Sequence, residues 1–276
     1  MDTITLGGLV SLLNQHRLDA TLEGDPSVAV AGAACDSRQV TPGNIFICKG
    51  AAFRPAFLSA ALEAGAAAYL CTPDAAGELS AVAPGVPRIL CADIRPAMAR
   101  VSKAAWGDPD RDLQIVGITG TKGKSTTAYL LQTLLDAVGP EPCAIFGTHA
   151  IFDGTGTFES ANTTPEPPDL WRHLANARRS GLRRVVMEVS SQALKYDRVL
   201  GLSLSAACFL NIGNDHVSPV EHPSFEDYLA AKLRIFELAD RCVVNLSGAH
   251  AEEVLAAARA RGAEVTTFSL SDPAAD

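Results

Sequence analysis

The 276-residue sequence lacks the features that mark several classes of protein. It contains no apolar run of the roughly 18 residues that a membrane-spanning helix needs. It also does not open with a basic segment followed by an apolar run, so no signal peptide is predicted. Its seven cysteines are odd in number, scattered and never arranged as C-x-x-C. This pattern argues against a disulfide scaffold and a zinc ribbon, and favours a reducing, cytoplasmic setting.

Positive charge is also scarce. The chain has 23 lysines and arginines against 31 acidic residues, which gives a formal net charge of −8. A nucleic-acid partner is therefore not predicted, because such partners require an excess of basic residues on the binding face. Hydrophobic residues make up 47% of the chain, which is globular composition with enough apolar material for a core. No internal repeat and no low-complexity tract is present.

The length predicts two domains, at about 150 residues each. The polar stretch 107–112 is typical of a boundary, so the expected domains are 1–107 and 108–276. Short strand-like and helical runs alternate in both, and the fold class is therefore α/β. In the second domain the alternation predicts a doubly wound, mostly parallel sheet, whose ligands are expected beyond the carboxyl ends of the strands. The strands are predicted at 113–119, 143–146, 184–189, 204–211, 242–245 and 264–269, and the helices at 125–138, 168–180, 224–239 and 249–261.

A glycine-rich segment follows the first of these strands. It reads Gly120-Thr121-Lys122-Gly123-Lys124-Ser125-Thr126 and leads directly into a predicted helix. This is the context of a phosphate-binding loop, in which backbone N–H groups and a helix N-terminus face phosphate oxygens. Lys124 would contact the terminal phosphates and the Ser125 hydroxyl would bind Mg²⁺. The strict P-loop pattern needs a glycine where this chain has Ile118, so a glycine-rich turn without a ligand is the alternative.

Polar side chains also follow two later strands. Glu188 ends the apolar run V-V-M-E-V, where a carboxylate can reach a metal or simply face water. Ser190 and Ser191 offer hydroxyls at the same edge, although serines after a strand are commonly turn residues. His216 belongs to a polar cluster that begins at Asn211, and it could bind a second Mg²⁺ or a phosphate, or be structural.

Three further positions have both a functional and a structural interpretation. Arg198 could clamp a phosphate or a carboxylate, or be a solvated surface charge. Lys232 lies among apolar residues of the predicted helix 224–239, where a lysine either extends its charge to solvent or is chemically modified. Thr163 and Thr164, before a proline, could be only a turn.

The loop T-G-T-x-G-K-[ST]-T resembles that of the Mur ligases, the ATP-dependent amino-acid ligases of peptidoglycan synthesis. Other segments resemble motifs of the same family in the same order, and the match at 188–198 is similar to its MurE type in particular. They are D-S-R with G-x-I-F at 36–46, T-T-P at 163–165, E-V-S-S-x-x-L with an arginine at 188–198, N-x-x-x-D-H at 211–216 and Y-x-A-A-K-x-x-x-F at 228–236.

The resemblance implies a small α/β domain over 1–107 that binds a UDP-N-acetylmuramoyl peptide. It implies a P-loop ATPase-like central domain over 108–276, which we expect to be incomplete because the family carries a third domain. It further implies ATP, two Mg²⁺ ions and a carbamylated Lys232. The implied catalytic residues are Lys124, Glu188, His216 and Lys232, and the implied metal ligands are Ser125, Glu188, His216 and Lys232. The implied ATP-binding residues are Gly120, Thr121, Lys122, Gly123, Lys124, Ser125, Thr126 and Asn211, and the implied substrate-binding residues are Ser37, Arg38, Thr163, Thr164, Ser190 and Arg198.

The reaction implied is amide-bond formation between an amino acid and the UDP-N-acetylmuramoyl peptide, through an acyl phosphate. The chain departs from the family at Lys122, where many members have asparagine, and at His222, which is displaced from the family's D-H-x-D-x-H-G and receives no role. We expect this chain alone to be inactive. The alternatives are a catalytically incomplete fragment that binds ATP or a UDP-sugar, and a ligase similar to folylpolyglutamate synthase, which lacks a UDP-binding domain. An amidating MurT-type relative and a P-loop NTPase switch are less favoured, because the cysteine cluster of the first and the switch elements of the second are not found.

Overall fold

A computed structural model describes residues 4–215, 218 and 221–276. The chain divides into two compact units, which are treated separately below. The first comprises the chain up to Pro109 together with Pro167–Ala175, and the second comprises Asp110–Glu166 and Asn176–Asp276. The ligand-binding roles predicted for 1–107 and 108–276 stay predictions.

The first unit is built on a five-stranded sheet of order β2-β7-β6-β5-β4, parallel except for β2, beside a separate antiparallel pair, β1 and β3. Apolar residues cover both faces of the larger sheet, because neighbouring strand residues point to opposite sides: Ile45 and Ile47 belong to one core cluster and Phe46 to the other. The strands are β1 Ile4–Thr5, β2 Thr21–Glu23, β3 Ala29–Val30, β4 Gly32–Ala34, β5 Asn44–Ile47, β6 Ala68–Cys71 and β7 Arg88–Leu90, and the helices are α1 Leu6–Gln15, α2 Pro55–Glu63, α3 Ala76–Val82 and α4 Ile94–Ala105.

The remaining elements form an eight-stranded sheet and its helices. The strands are β8 Gln114–Thr119, β9 Ala144–Phe146, β10 Ile151–Phe152, β11 Thr157–Phe158, β12 Arg184–Glu188, β13 Ala206–Phe209, β14 Arg241–Asn245 and β15 Glu264–Phe268. The helices are α5 Lys124–Val138, α6 Pro167–Arg179, α7 Ser191–Lys195, α8 Phe225–Leu233 and α9 Ala251–Ala260. The first part of α6, Pro167–Ala175, belongs to the first unit. The strand order is β11-β10-β9-β12-β8-β13-β14-β15, and every pair from β9 to β15 is parallel. The predicted α/β class with a mostly parallel sheet is confirmed.

Two predicted elements are longer than those observed. The strand predicted at 204–211 is limited to Ala206–Phe209. The Leu210 N–H still donates to the Thr119 carbonyl at the end of β8, and the Asn211 side chain then bonds to the loop that follows β8. The helix predicted at 224–239 ends at Leu233 and continues as a 3₁₀ turn, Arg234–Glu237. Arg234 there donates to the Leu194 carbonyl and to Asp197, and such tertiary bonds override helix propensity.

The strand order decides where the site lies. β8 sits between β12 and β13, so the loop that leaves β8 is flanked by the ends of both neighbours. Because parallel strands end at the same edge, Glu188 at the end of β12 lies beside that loop. In the described part of the chain, no helix combines the length and the apolar run that crossing a bilayer requires.

Candidate active site

The glycine-rich loop joins β8 to α5, as the sequence predicts. Gly123 precedes the first helical residue, Lys124, with a left-handed φ of 84°, a conformation that favours glycine. The Lys124 ammonium folds back over the loop and donates to the carbonyls of Gly120 at 2.9 Å and Thr121 at 3.3 Å. Burial lowers its pKa, while Glu188 opposes that shift.

Asn211, just beyond β13, holds the loop in shape. Its side-chain oxygen accepts the N–H groups of Thr121 at 3.1 Å and Lys122 at 3.0 Å, and its amide donates to the Lys122 carbonyl at 3.0 Å. The structure therefore places Asn211 against the loop backbone. The exposed Lys122 ammonium pairs with Asp215 at 2.5 Å, and Thr126 is exposed in the first turn of α5.

Glu188 is the buried acid of the site, with 1% of its surface exposed. Its carboxylate accepts hydrogen bonds from the Ser125 hydroxyl at 3.0 Å and from the Thr148 N–H at 2.8 Å and hydroxyl at 3.3 Å. The approach is so close that a Cβ on Gly147 would lie 2.5 Å from a Glu188 oxygen. A carboxylate and hydroxyls are hard oxygen ligands, so this donor set fits Mg²⁺.

Lys232 enters the same loop from α8. It is 1% exposed, donates to the Gly120 carbonyl at 2.9 Å and lies 4.8 Å above the Tyr228 ring. Burial, reinforced by the neighbouring Lys124 charge, lowers the pKa of Lys232 to about 7. The Tyr228 hydroxyl in turn lies 3.0 Å from the Thr121 hydroxyl. The structure thus places Lys124, Ser125, Glu188 and Lys232 around one loop, and the roles predicted for them stay predictions.

A cavity of about 170 Å³ opens beside these groups. Of the predicted substrate residues, Thr163, Ser190 and Arg198 line it, whereas Thr164 does not. Thr164 is buried, donates to the Glu188 carbonyl at 2.9 Å and accepts the Ser190 N–H at 3.0 Å, so it braces the strand end. The full lining is Lys124, Asn162, Thr163, Ser190, Ser191, Gln192, Arg198, Glu221, Tyr228 and Lys232.

Arg198 is fixed at the edge of this cavity. Its Nε lies 2.9 Å from the Glu166 carboxylate, and its Nη1 donates to the Thr164 carbonyl at 3.2 Å. A guanidinium held in this way is oriented before a ligand arrives. His216 lies outside the described residues. Within the described chain, no three His, Cys, Asp or Glu side chains gather as a metal-binding cluster.

The sequence did not identify a buried network around His222. This histidine is fully buried, and its Nδ1 lies 2.6 Å from Asp227 and its Nε2 2.9 Å from the Ser191 hydroxyl. Asp227 also pairs with Lys195 at 2.7 Å. Thr148 was missed as well, because it lies in the loop after β9 and only the strand order brings that loop to Glu188. The serine pair after Glu188 was the one signal that could have pointed to the network.

Ser37 and Arg38 lie in the first unit. They line a cavity of about 530 Å³ together with Cys35, Asp36, Lys49, Ala52, Phe53 and Phe57. Asp36 caps the short helical turn by accepting the Arg38 N–H at 3.0 Å, and it also pairs with the Arg38 guanidinium at 2.6 Å. The Arg38 side chain is 86% exposed, so it is available to an anionic ligand.

The fold and the loop define a class: an α/β protein that presents a phosphate-binding loop at the carboxyl edge of a parallel sheet. The chain belongs to the Mur ligase family, because the family model described as the Mur ligase middle domain matches residues 118–276. The resemblance drawn from the motifs is confirmed.

Curated relatives match nearly the whole chain. The UDP-N-acetylmuramyl-tripeptide synthetase of Bifidobacterium longum (strain NCC 2705) is 41% identical over 98% of this chain and 53% of that protein. The synthetase of the same name from Latilactobacillus sakei subsp. sakei (strain 23K) is 40% identical over 92% of this chain and 50% of that protein. The chain therefore spans about half the length of the curated relatives it matches.

Among solved structures, a UDP-N-acetylmuramoyl-L-alanyl-D-glutamate–2,6-diaminopimelate ligase is similar, with a TM-score of 0.77 and 26% identity. The match covers 99% of this chain and 54% of that one.

Proposed function

We propose that this chain binds ATP and a UDP-N-acetylmuramoyl peptide for the formation of an amide bond with an amino acid in peptidoglycan synthesis. One observation carries the proposal: the buried Lys232, the half-buried Lys124, a loop serine and a buried carboxylate converge on one phosphate-binding loop. The names of the curated relatives support the substrate class. We expect the reaction to take place in the cytoplasm.

The loop residues have separate tasks in this proposal. Lys124, which now donates to two loop carbonyls, would instead pair with the terminal phosphates of ATP. Ser125 and Glu188 would hold Mg²⁺, which offsets the negative charge of the phosphates when bound. Asn211 keeps the loop backbone in place while ligands exchange. The work is positioning and charge stabilisation, which phosphoryl transfer mainly requires.

The acceptor carboxylate of the peptide would occupy the cavity lined by Thr163, Ser190 and Arg198. There Arg198 can pair with the carboxylate, which attacks the γ-phosphorus of ATP and gives an acyl phosphate and ADP. The amine of the amino acid then attacks the acyl carbon, and phosphate leaves. Ser37 and Arg38 would hold the uridine diphosphate in the cavity of the first unit.

Lys232 would join the metal site after carbamylation. Its amine lies buried beside a second ammonium and over an aromatic ring. Addition of CO₂ to the neutral amine, with loss of one proton, converts this position into an anion suited to a second Mg²⁺ shared with His216.

Calorimetry tests the central claim. We expect Mg·ATP to bind the chain and Lys124→Ala to weaken binding by roughly 10–150-fold, the equivalent of the about 1.5–3 kcal/mol that a hydrogen bond to a charged group contributes. Lys103→Ala, a lysine of α4 in the first unit, is the matched control and should bind ATP as the parent does. Equal affinity in all three proteins would refute the phosphate-loop assignment.

Substrate titration separates the alternatives. UDP-N-acetylmuramoyl-L-Ala-D-Glu should bind, and Arg38→Ala should weaken that binding. Binding of a folate in its place would favour a ligase similar to folylpolyglutamate synthase. Amide formation by this chain on addition of amino acids would exclude the catalytically incomplete binding fragment.

A further inference from the structure

Two hydrogen bonds in series connect Asp227 through His222 to Ser191, which lines the cavity. The Ser191 hydroxyl lies 2.9 Å from His222 Nε2, and His222 Nδ1 lies 2.6 Å from an Asp227 oxygen. Ser191 lines the cavity, whereas His222 is fully buried behind it. This is the arrangement of nucleophile, base and orienting acid that recurs on unrelated folds and is recognised by its geometry.

The direction of each hydrogen bond follows from the charge of Asp227. Lys195 pairs with the same Asp227 oxygen at 2.7 Å, and Lys195 and His222 hold the pKa of this acid below its usual range. A carboxylate can only accept, so His222 donates from Nδ1. When the ring is neutral, Nε2 is then an acceptor and the Ser191 hydroxyl donates to it. In that state the serine proton is directed toward a base.

The cavity indicates which compounds this serine could meet. Lys124, Arg198 and Lys232 line the same small space. Before Lys232 is carbamylated, these three basic side chains outnumber Glu221, the acid of the same lining. Their excess of positive charge favours an anionic ligand and stabilises an anion that departs. A small acyl phosphate meets both demands, because it combines an electrophilic carbonyl with a phosphate leaving group.

We propose that Ser191 is an acylatable nucleophile that takes the acyl group from small acyl phosphates without ATP. The Ser191 oxygen attacks the carbonyl carbon, the bond between that carbon and the phosphate oxygen breaks, and phosphate leaves with its bonding electrons. His222 Nε2 takes the serine proton. Water then attacks the acyl ester with His222 as base, which releases the carboxylate and restores the serine. Asp227 acts as a positioning residue, since it fixes the ring tautomer.

This activity uses the cavity of the proposed ligase but not its ATP. The test is incubation of the 276-residue chain with acetyl phosphate, without nucleotide or Mg²⁺, followed by quenching and peptide mapping by mass spectrometry. We expect an acetyl group on Ser191. His222→Gln should slow acylation by at least 100-fold, the lower range of a lost general base. Asp227→Asn should shift the pH dependence of acylation, an effect that a purely structural acid would not produce.

Matched variants exclude trivial outcomes. Ser191→Ala should abolish the adduct at this position, and Ser191→Cys should restore acylation as a thioester. Ser180→Ala, an exposed serine away from the cavity, should acylate at the parental rate. Thermal unfolding followed by circular dichroism confirms that each variant is folded. Acetylation confined to lysines, or an adduct on Ser191 that persists at the parental rate in His222→Gln, overturns the inference. Either result leaves ATP binding untouched, so the two proposals fail separately.

Discussion

Lys124 and Lys232 share one hydrogen-bond acceptor, because both ammonium groups donate to the Gly120 carbonyl at 2.9 Å. Two like charges thus meet at one oxygen, one of them on a half-buried lysine and the other on a lysine that is 1% exposed. Such a pair raises the free energy of the folded protein until an anion arrives or one lysine loses its charge. We therefore expect the stability of the second unit to increase when an anionic ligand offsets this repulsion between the two lysines.

The first prediction concerns the pH dependence of stability at Lys232. Its pKa is about 7 when folded and 10.5 in its ordinary state, so between these values the unfolded chain holds a proton that the folded chain has released. Stability therefore rises with pH in this window, and below about pH 7 the cost is present in full. In CO₂-free buffer, we expect the unfolding free energy of the parent relative to Lys232→Met to rise by up to about 1.4 kcal/mol per pH unit above 7. Urea unfolding at several pH values measures this difference in unfolding free energy. For the control Lys103→Met, the difference from the parent should not change with pH. A difference between the parent and Lys232→Met that does not change with pH would contradict the prediction.

The second prediction concerns Glu188 and Mg²⁺. Glu188→Gln keeps the size of the side chain but removes the negative charge that faces Ser125. We expect ATP to bind the parent more tightly with Mg²⁺ than with EDTA, and the variant to lose roughly 10–100-fold of the Mg²⁺-dependent affinity. Calorimetry in both buffers provides the comparison. Glu237→Gln, an exposed acid, is the control, and an unchanged Mg²⁺ effect in the Glu188 variant would show that the metal binds elsewhere.

The third prediction concerns the close approach of Gly147 to Glu188. A methyl group at Gly147 would push into a carboxylate that three hydrogen bonds hold. We expect Gly147→Ala to cost about 1–3 kcal/mol of stability and to weaken Mg²⁺-dependent ATP binding. Gly77→Ala, in α3 with open space around it, should instead stabilise by up to about 1 kcal/mol. Denaturant titration of both variants decides, and equal effects would contradict the steric argument.

The fourth prediction separates loop geometry from general stability. Asn211→Ala removes three hydrogen bonds to the loop backbone, and we expect a fall in both stability and ATP affinity. Asn14→Ala removes a comparable pair of bonds to Ala20 in the first unit. It should cost similar stability, about 1–3 kcal/mol, and leave ATP affinity unchanged. Calorimetry and thermal unfolding of both variants test this pair. If Asn211→Ala binds ATP as tightly as the parent, the loop keeps its conformation without Asn211.

The parts of the site that sequence could predict are local ones. The run from Ile118 through Lys124 shows a strand, a glycine turn and a helix in direct succession, and each has its own pattern. Glu188 was recognisable because an acid ends an apolar run. These signals do not depend on which strands are neighbours.

The parts of the site that the sequence could not predict depend on which elements are neighbours in the folded chain. Thr148 reaches Glu188 only because β9 lies next to β12, an adjacency that chain order does not reveal. His222 meets Ser191 because residues 221–222, before α8, lie against α7, and a displaced histidine gave no hint of that contact. The end of α8 at Leu233 likewise follows from bonds that Arg234 makes to a distant loop.

The bond from Lys232 to Gly120 spans 112 positions of the chain, and the contact between Tyr228 and Thr121 spans 107. Contacts between residues so far apart in the sequence form late in folding, because the entropy cost of closing the intervening chain must be overcome first. During synthesis, β8 and the loop emerge well before α8. A nascent chain therefore carries the phosphate loop without the Lys232 and Tyr228 side chains that contact it. If the chain binds ATP as proposed, nucleotide binding is a property of the finished fold, and ATP would stabilise the folded product without binding its folding intermediates.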